Sequence, residues 1–336
     1  MSFQVIHLPN GEQKNPCSWG VVENGEVIAR IETLQPETEN VLRITELFTA
    51  EAYRRQGMGH ALLAVAKKQA AFERRSGIVI EIPCEEETAE AFFQKEGFCP
   101  AGEPQNNAAE EKSETGKKTR KWSYSPKRKK ILKPEEVEIR KELPEEYHKT
   151  ERVAQEAFWN LHHPGCNEHY LVHKLRDSSD YLPELSRIAL VDGEIVGTIM
   201  YSKAVVREGE KETPLLTFGP LCVKPEWQGC GIGKLLLKET MKLAAQAGYS
   251  GIVIFGEPEY YPKAGFVTCD HFGITTADGA NFDAFMGIEL LPGAMEGIHG
   301  KFYESEVFEH LPDAEVEAFS REFPPLEKQY FPGQWD

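Results

Sequence analysis

The chain has 336 residues, 40% of them hydrophobic and 10% aromatic, a composition that suits a globular protein with room for two separate cores. Its formal net charge of −16 argues against wholesale nucleic-acid binding, which needs a basic face to displace counterions, and is compatible with a cationic partner such as an amine. No apolar run approaches the length of a membrane span, so no membrane partner is expected.

In chain order, the opening MSFQVIHLPNGEQKNP lacks the basic flank and apolar core of a signal peptide. Residues 18–27 and 28–34 read as two strands around Glu23-Asn24-Gly25, because Asn-Gly between apolar runs marks a hairpin. Residues 44–48 form a further strand that leads through Arg54-Arg55-Gln56-Gly57-Met58-Gly59 into a helix from His60 to about Arg75. Residues 101–114 are polar and rich in Glu, Asn and Ala, which predicts a flexible loop. Residues 117–124 are expected to close the first sheet as its last strand. The positive charges at 127–130 and Lys133 read as a solvated linker threaded by Pro126 and Pro134. This places a domain boundary near Pro134, giving domains 1–133 and 134–336.

The second domain starts with a strand at 137–141. A helix follows, introduced by Pro144 and carrying Val153, Ala154, Ala157, Phe158 and Leu161 on one face. After a histidine-rich stretch, 162–173, Asp192-Gly193 joins strands 186–191 and 194–202 as a second hairpin. The strand at 216–223 then runs through Lys224 and Pro225 into a loop, Gln228-Gly229-Cys230-Gly231-Ile232-Gly233. Behind the loop, Leu235, Leu236, Met241, Leu243 and Ala244 fall at helical spacing. A strand, a glycine-rich loop and a helix start aim several backbone N–H groups at one point. The helix dipole favours an anion there, and glycine lets that anion reach the backbone. The reading is a pyrophosphate cradle. No Gly-Lys-Ser/Thr follows, and a third glycine is missing at Leu236, so neither the P-loop nor the dinucleotide fingerprint fits. Residues 251–255 form a strand, and Tyr261-Pro262-Lys263-Ala264-Gly265-Phe266 comes after it. In the tail, residues 319–328 are too amphipathic and aromatic for disorder and are expected to pack back on the domain.

The arrangement occurs twice. Arg54 to Gln228, Gly57 to Gly231 and Gly59 to Gly233 are each 174 positions apart, and the identical pentapeptides at 76–80 and 250–254 keep that register. Gly97-Phe98 and Gly265-Phe266 differ by 168, so the second copy has a connection shorter by six residues. Gln228-x-x-Gly231-x-Gly233, followed by a strand and Tyr261-x-x-x-Gly265-Phe266, resembles the acetyl-CoA signature of the GNAT acetyltransferase superfamily.

That resemblance implies an α+β fold with three layers (helix, sheet, helix). It would occur as two tandem GNAT domains, each a twisted mixed, mainly antiparallel sheet flanked by helices, the N-terminal copy reduced. It implies transfer of an acetyl group from acetyl-CoA to a primary amine by direct transfer in a ternary complex, in the second domain. Main-chain groups of Leu221, Cys222 and Val223 would line the pantetheine. The N–H groups of Gln228, Gly229, Cys230, Gly231, Ile232, Gly233 and Lys234 would hold the pyrophosphate. Arg54, Gly57 and Gly59 would do the same in the first copy, and the basic run could reach the 3′-phosphate of CoA. Tyr261 would protonate the leaving thiolate, with Tyr260 able to exchange roles. Glu257 is the first choice of base, with Glu168, His169 or a water chain as alternatives. It needs burial or a like charge to raise its pKa. Cys166, Glu168 and His169 are expected to recognise the acceptor, a small-molecule or peptide amine.

The spacing of His163, Cys166, His169 and His173 matches no common zinc pattern, and no metal is expected. Seven cysteines without CxxC spacing predict a reducing cytoplasm. In the first copy Phe93 replaces the tyrosine while Glu46 is kept, and too few residues precede the cradle for the usual first strand and helix. A structural or dimerising role is expected there, which makes a homodimer an expectation. Two rival functions remain open: a non-catalytic acyl-CoA-binding protein, and activity in the first domain with Glu46 as base.

Overall fold

The structure, a computed structural model, describes residues 3–8, 16–84, 86–101, 119–125, 129–330 and 334. Most of the loop expected at 101–114, and the charges at 127 and 128, lie outside the described residues. The chain divides into two compact units, residues 1–128 with 329–336, and residues 129–328.

In the first unit the elements are β1 (Ile6–Leu8), β2 (Cys17–Glu23), β3 (Glu26–Leu34), β4 (Leu42–Thr49), α1 (Met58–Phe72), β5 (Ile78–Pro83), α2 (Glu87–Lys95), β6 (Cys99–Pro100) and β7 (Thr119–Tyr124). The sheet order is β1-β2-β3-β4-β5-β7-β6. Only β4 and β5 are parallel, joined by α1 as a crossover. Asn24 and Gly25 both take positive φ (51° and 83°), the backbone a two-residue hairpin loop needs. Trp19, Ile31, Leu42, Leu62, Leu63 and Ile78 are buried together. Each such side chain contributes about 1.5–3 kcal/mol of burial. The described part of the strand expected at 117–124 is β7, which pairs with β5 from Ile78–Tyr124 to Pro83–Thr119. The chain's last residues also belong here. Lys68 donates to the Gln329 side chain at 3.2 Å, and the Tyr330 ring lies 5.4 Å from His7.

The second unit contains β8 (Glu138–Arg140), α3 (Tyr147–Phe158), α4 (Glu168–Arg176), β9 (Arg187–Val191), β10 (Glu194–Glu208), β11 (Lys211–Val223), α5 (Ile232–Gln246), β12 (Gly251–Phe255), β13 (Val267–Thr268), β14 (Ile274–Thr275), β15 (Phe285–Glu289), β16 (Gly300–Glu304) and α6 (Asp313–Ser320). Its sheet runs β13-β15-β12-β11-β10-β16-β14, with β9 on the first half of β10 and β8 on β9. Asp192 and Gly193 repeat the positive-φ hairpin of the first unit (50° and 81°). Alternation along the strands sorts side chains to two faces. Tyr201, Leu216, Phe218, Ile252 and Ile254 pack with Leu236 of α5 on one face. Met200, Cys222 and Ile188 pack with Val153 of α3 and Val172 of α4 on the other. A third cluster, Ala204, Leu215, Val253, Phe285 and Phe302, adjoins the α3–α4 side. The 319–328 segment does pack back on its unit: Trp159 donates to the Glu327 carbonyl at 2.8 Å, and Phe323 stacks on His148 at 4.3 Å.

Candidate active site

The site of the second unit begins where two parallel strands part. β11 and β12 pair at one position, Leu216 with Ile252, and separate beyond it. Against β10 the register of β11 shifts between Ile199–Leu221 and Tyr201–Phe218, so Gly219 and Pro220, joined by a cis peptide, bulge opposite Met200. A bulge bends and twists its strand, and this one carries Leu221, Cys222 and Val223 away from β12. The first unit has its bulge at the matching place, at Thr45, between the pairs Glu32–Glu46 and Thr33–Ile44. There, however, β4 and β5 stay paired at three positions, Leu42 to Ile44.

Past Val223 the chain turns through Lys224 and Pro225 into the glycine loop. Gly229 and Gly231 adopt left-handed backbone (φ 77° and 90°), as do Arg55 and Gly57 in the first unit (61° and 87°). Gly231 is the N-cap of α5 and Gly57 that of α1, and neither helix has a side-chain cap. The Gln228 side chain donates to the Val223 carbonyl at 3.0 Å and so ties the loop to the strand end. Two of the seven N–H groups expected to hold the pyrophosphate are already used: Gln228 donates to Lys224 and Cys230 to Trp227. That corrects the cradle to five. The N–H groups of Gly229, Gly231, Ile232, Gly233 and Lys234 have no partner among the described residues, as the first turn of a helix leaves them. From outside, Leu132 donates to the Cys230 carbonyl at 2.9 Å, and Lys129 bonds the carbonyls of Pro225 and Glu226. The described part of the basic run therefore braces the turn.

Tyr261 starts the short helical turn after β12, and its ring packs against Gly256, where a Cβ would come 2.5 Å from it. Phe218 and Phe266 flank it at 5.8 and 5.4 Å. Its hydroxyl has no hydrogen-bond partner among the described residues. Burial pushes its pKa well above the ordinary phenol value, with the nearby Tyr260, Tyr201, Cys222 and Glu257 adding to the shift. The phenol therefore keeps its proton at neutral pH. Tyr260 has a separate place: its hydroxyl lies 3.0 Å from where a Cβ on Gly233 would stand, at the mouth of α5. In the first unit Phe92 meets Gly59 in the same way at 3.5 Å. The places of Tyr260 and Tyr261 are thus taken by phenylalanines, 92 and 93, in the first unit.

The expected acid–base and acceptor residues are dispersed. Glu257 is exposed, so the burial it would need as a base is missing. Glu168 is the first residue of α4 and accepts the Asn167 N–H at 3.2 Å. Burial raises its pKa; burial also pushes the thiols of Cys222 and Cys166 up, and the Glu168 charge adds to both shifts. Cys222 therefore lies within electrostatic reach of both Glu168 and Tyr261. Cys166 and His169 are fully enclosed. His169 Nδ1 is 3.4 Å from Cys166 Sγ, Nε2 is 2.9 Å from Ser320 Oγ, and burial drops its pKa to about 4. These two residues fasten α4 to α6 and leave no polar atom for an acceptor, which corrects the sequence expectation for both. His173 pairs with Glu151 instead of completing a cluster, and no group of metal-binding side chains forms among the described residues.

Sequence reasoning missed Phe308, whose ring stands 3.1 Å from where a Cβ on Gly219 would lie. Its only sequence signal is an aromatic residue in a tail already expected to fold back.

A strand that leaves its parallel neighbour at the mouth of a glycine-capped helix, twice in one chain, defines a protein of the tandem acyltransferase class. The model of the GNAT acetyltransferase domain matches residues 14–100, and that of the GNAT acetyltransferase family matches residues 145–266. The chain belongs to the GNAT N-acetyltransferase family and carries two GNAT domains in tandem. Similar proteins include the uncharacterized N-acetyltransferase YjhQ of Escherichia coli (strain K12), 34% identical over 100 residues, 30% of this chain and 55% of YjhQ. The chain thus spans little more than half the length of that relative. The uncharacterized N-acetyltransferase YhbS of the same strain is 28% identical over 131 residues, 39% of this chain and 76% of YhbS. A crystal structure of Escherichia coli YhbS in complex with CoA aligns with a TM-score of 0.47 at 23% identity, covering 53% of this chain and 94% of that one.

Proposed function

We propose that the chain moves an acetyl group from acetyl-CoA to a primary amine, by direct transfer in a ternary complex, in its second unit. The observation that carries this reading is the parting of β11 from β12 after Leu216 and Ile252, beside five N–H groups without partners among the described residues. An extended pantetheine arm would take the edge that β11 leaves unpaired, along Leu221 to Val223, and the diphosphate would take the helix mouth. The amine nitrogen attacks the thioester carbonyl carbon, the C–N bond forms, and the C–S bond breaks. The leaving thiolate takes its proton from the Tyr261 hydroxyl. The amine's proton goes to Glu168, which is enclosed and acts on Cys222, in preference to the exposed Glu257.

The first unit fits this chemistry less well. Its Glu46 is held by Arg30 at 2.5 Å, and neither Phe92 nor Phe93 can give a proton. A structural role, dimerisation included, suits it better. Seven free thiols support a reducing cytoplasm as the location, and no described helix is long and apolar enough to cross a membrane. The test is a CoA titration followed by turnover with acetyl-CoA across an amine panel. Binding with acetylated product is expected. Stoichiometric CoA binding with no product from any amine would favour a non-catalytic acyl-CoA-binding protein instead.

A further inference from the structure

On the face of the second sheet that carries α3 and α4, two apolar clusters lie side by side. One contains Cys222 and Phe308, next to the open end of β11, and the other contains Phe302 and Phe285. Glu304, the last residue of β16, shares its strand face with Phe302 two positions earlier. Four residues later Phe308 meets Gly219 at the bulge. Glu304 therefore lies in the chain between a residue of each cluster, Phe302 and Phe308, the second of which reaches the bulge where β11 leaves β12.

The Glu304 side chain has no hydrogen bond or ion pair among the described residues, and the charge acting on it is a second carboxylate, Glu309. A largely buried carboxylate without a cation is costly. Such groups concentrate where a ligand brings the missing charge. The neighbouring aromatics suit the same ligand. Phe255 lies 6.1 Å from Phe302 and stacks on Phe285 and Phe282 at 5.0 and 6.1 Å. Phe255 and Phe282 leave 48% and 49% of their surface exposed. Exposed aromatic rings attract ammonium groups.

We propose that the acceptor is a small amine bearing a second cationic nitrogen, which Glu304 binds beside the Phe255–Phe282 wall while the first nitrogen is acetylated. The inference rests on reading the second unit as an N-acetyltransferase and adds the substrate class, diamines and polyamines.

Calorimetric titration of the full chain decides it, with a linear diamine and with the monoamine of the same chain length, each with and without saturating CoA. A charge-assisted contact predicts that the diamine binds about 10- to 100-fold tighter than the monoamine. Glu304→Gln, which keeps the side chain's shape, should erase that advantage and leave CoA affinity unchanged. Equal affinities in the wild-type chain, or an advantage that survives Glu304→Gln, would overturn the proposal. A chain that does not bind CoA would instead sink the acetyltransferase reading, and the titrations without CoA would still decide the diamine site.

Discussion

Tyr261 and Glu304 are both enclosed, and enclosure does opposite things to their usefulness. A buried phenol keeps its proton, as a donor to a thiolate must, whereas a buried carboxyl loses the charge it would use. Tyr261→Phe keeps the ring contacts with Phe218 and Phe266 and removes only the proton. Acetyl transfer should fall by about 10²–10⁴-fold in kcat with little change in CoA affinity, as steady-state kinetics and a CoA titration would show. Unchanged turnover would refute its role as the acid. For Glu304, burial raises the pKa from 4.5 to about 7, with Glu309 adding to the shift. Between those values the folded chain holds a proton that the unfolded chain has lost, so stability falls as pH rises from 4.5 to 7 and levels off above. Glu304→Gln removes that loss. The variant should melt higher than the wild type at pH 8 by an amount equivalent to about 3 kcal/mol at most, with the gap closing by pH 5, in thermal unfolding followed by circular dichroism. Tyr261 was legible in the sequence because a local motif marks it. Glu304 was not, since the strand that carries it pairs with β10 and β14 and the carboxylate acting on it, Glu309, lies beyond that strand.

At the scale of elements, the strand–loop–helix unit was the most legible part of the chain. Gly57 and Gly231 cap helices at positive φ, and Asn24-Gly25 and Asp192-Gly193 turn as hairpins. Those signals are local: a few residues that need glycine, or the short polar side chain of Asn or Asp, to reach an uncommon backbone. The sequence could not tell which N–H groups of the loop would be consumed by its own turn, nor that β11 and β12 would part after a single pair while β4 and β5 hold three. Those depend on the bulge at Gly219 and Pro220 and on strand partners far away in the chain. At Gly231 a side chain would have to adopt a φ of 90°, and its Cβ would come 3.3 Å from the Ile131 methyl. Gly231→Val should therefore abolish CoA binding in a titration, at a stability cost of roughly 1–3 kcal/mol for the strained backbone. CoA affinity retained in that variant would remove the cradle from the mechanism.

For the whole molecule, the repeat could be read as arithmetic and Phe93 already set its copies apart, while the pairing adds how each strand leaves its neighbour. The first unit has the loop, the left-handed glycine and the bulge, yet lacks both hydroxyls and spends its carboxylate on Arg30. One CoA per chain is expected, bound in the second unit. CoA at a hundredfold excess over its dissociation constant adds about 2.7 kcal/mol to the unit that binds it. In calorimetry that should raise one of two melting transitions by roughly 5–10 °C and leave the other in place. Two shifted transitions would show that both copies bind.

The order of residues in the first unit has a further consequence. Lys68 and His7 meet Gln329 and Tyr330, so the first unit draws on residues made only after the second. During synthesis this half leaves the ribosome while still missing a piece, and waits for residues 129–328 to be translated before it can finish. A nonsense mutation just past Lys328 would therefore spare the later-made half and loosen the earlier one.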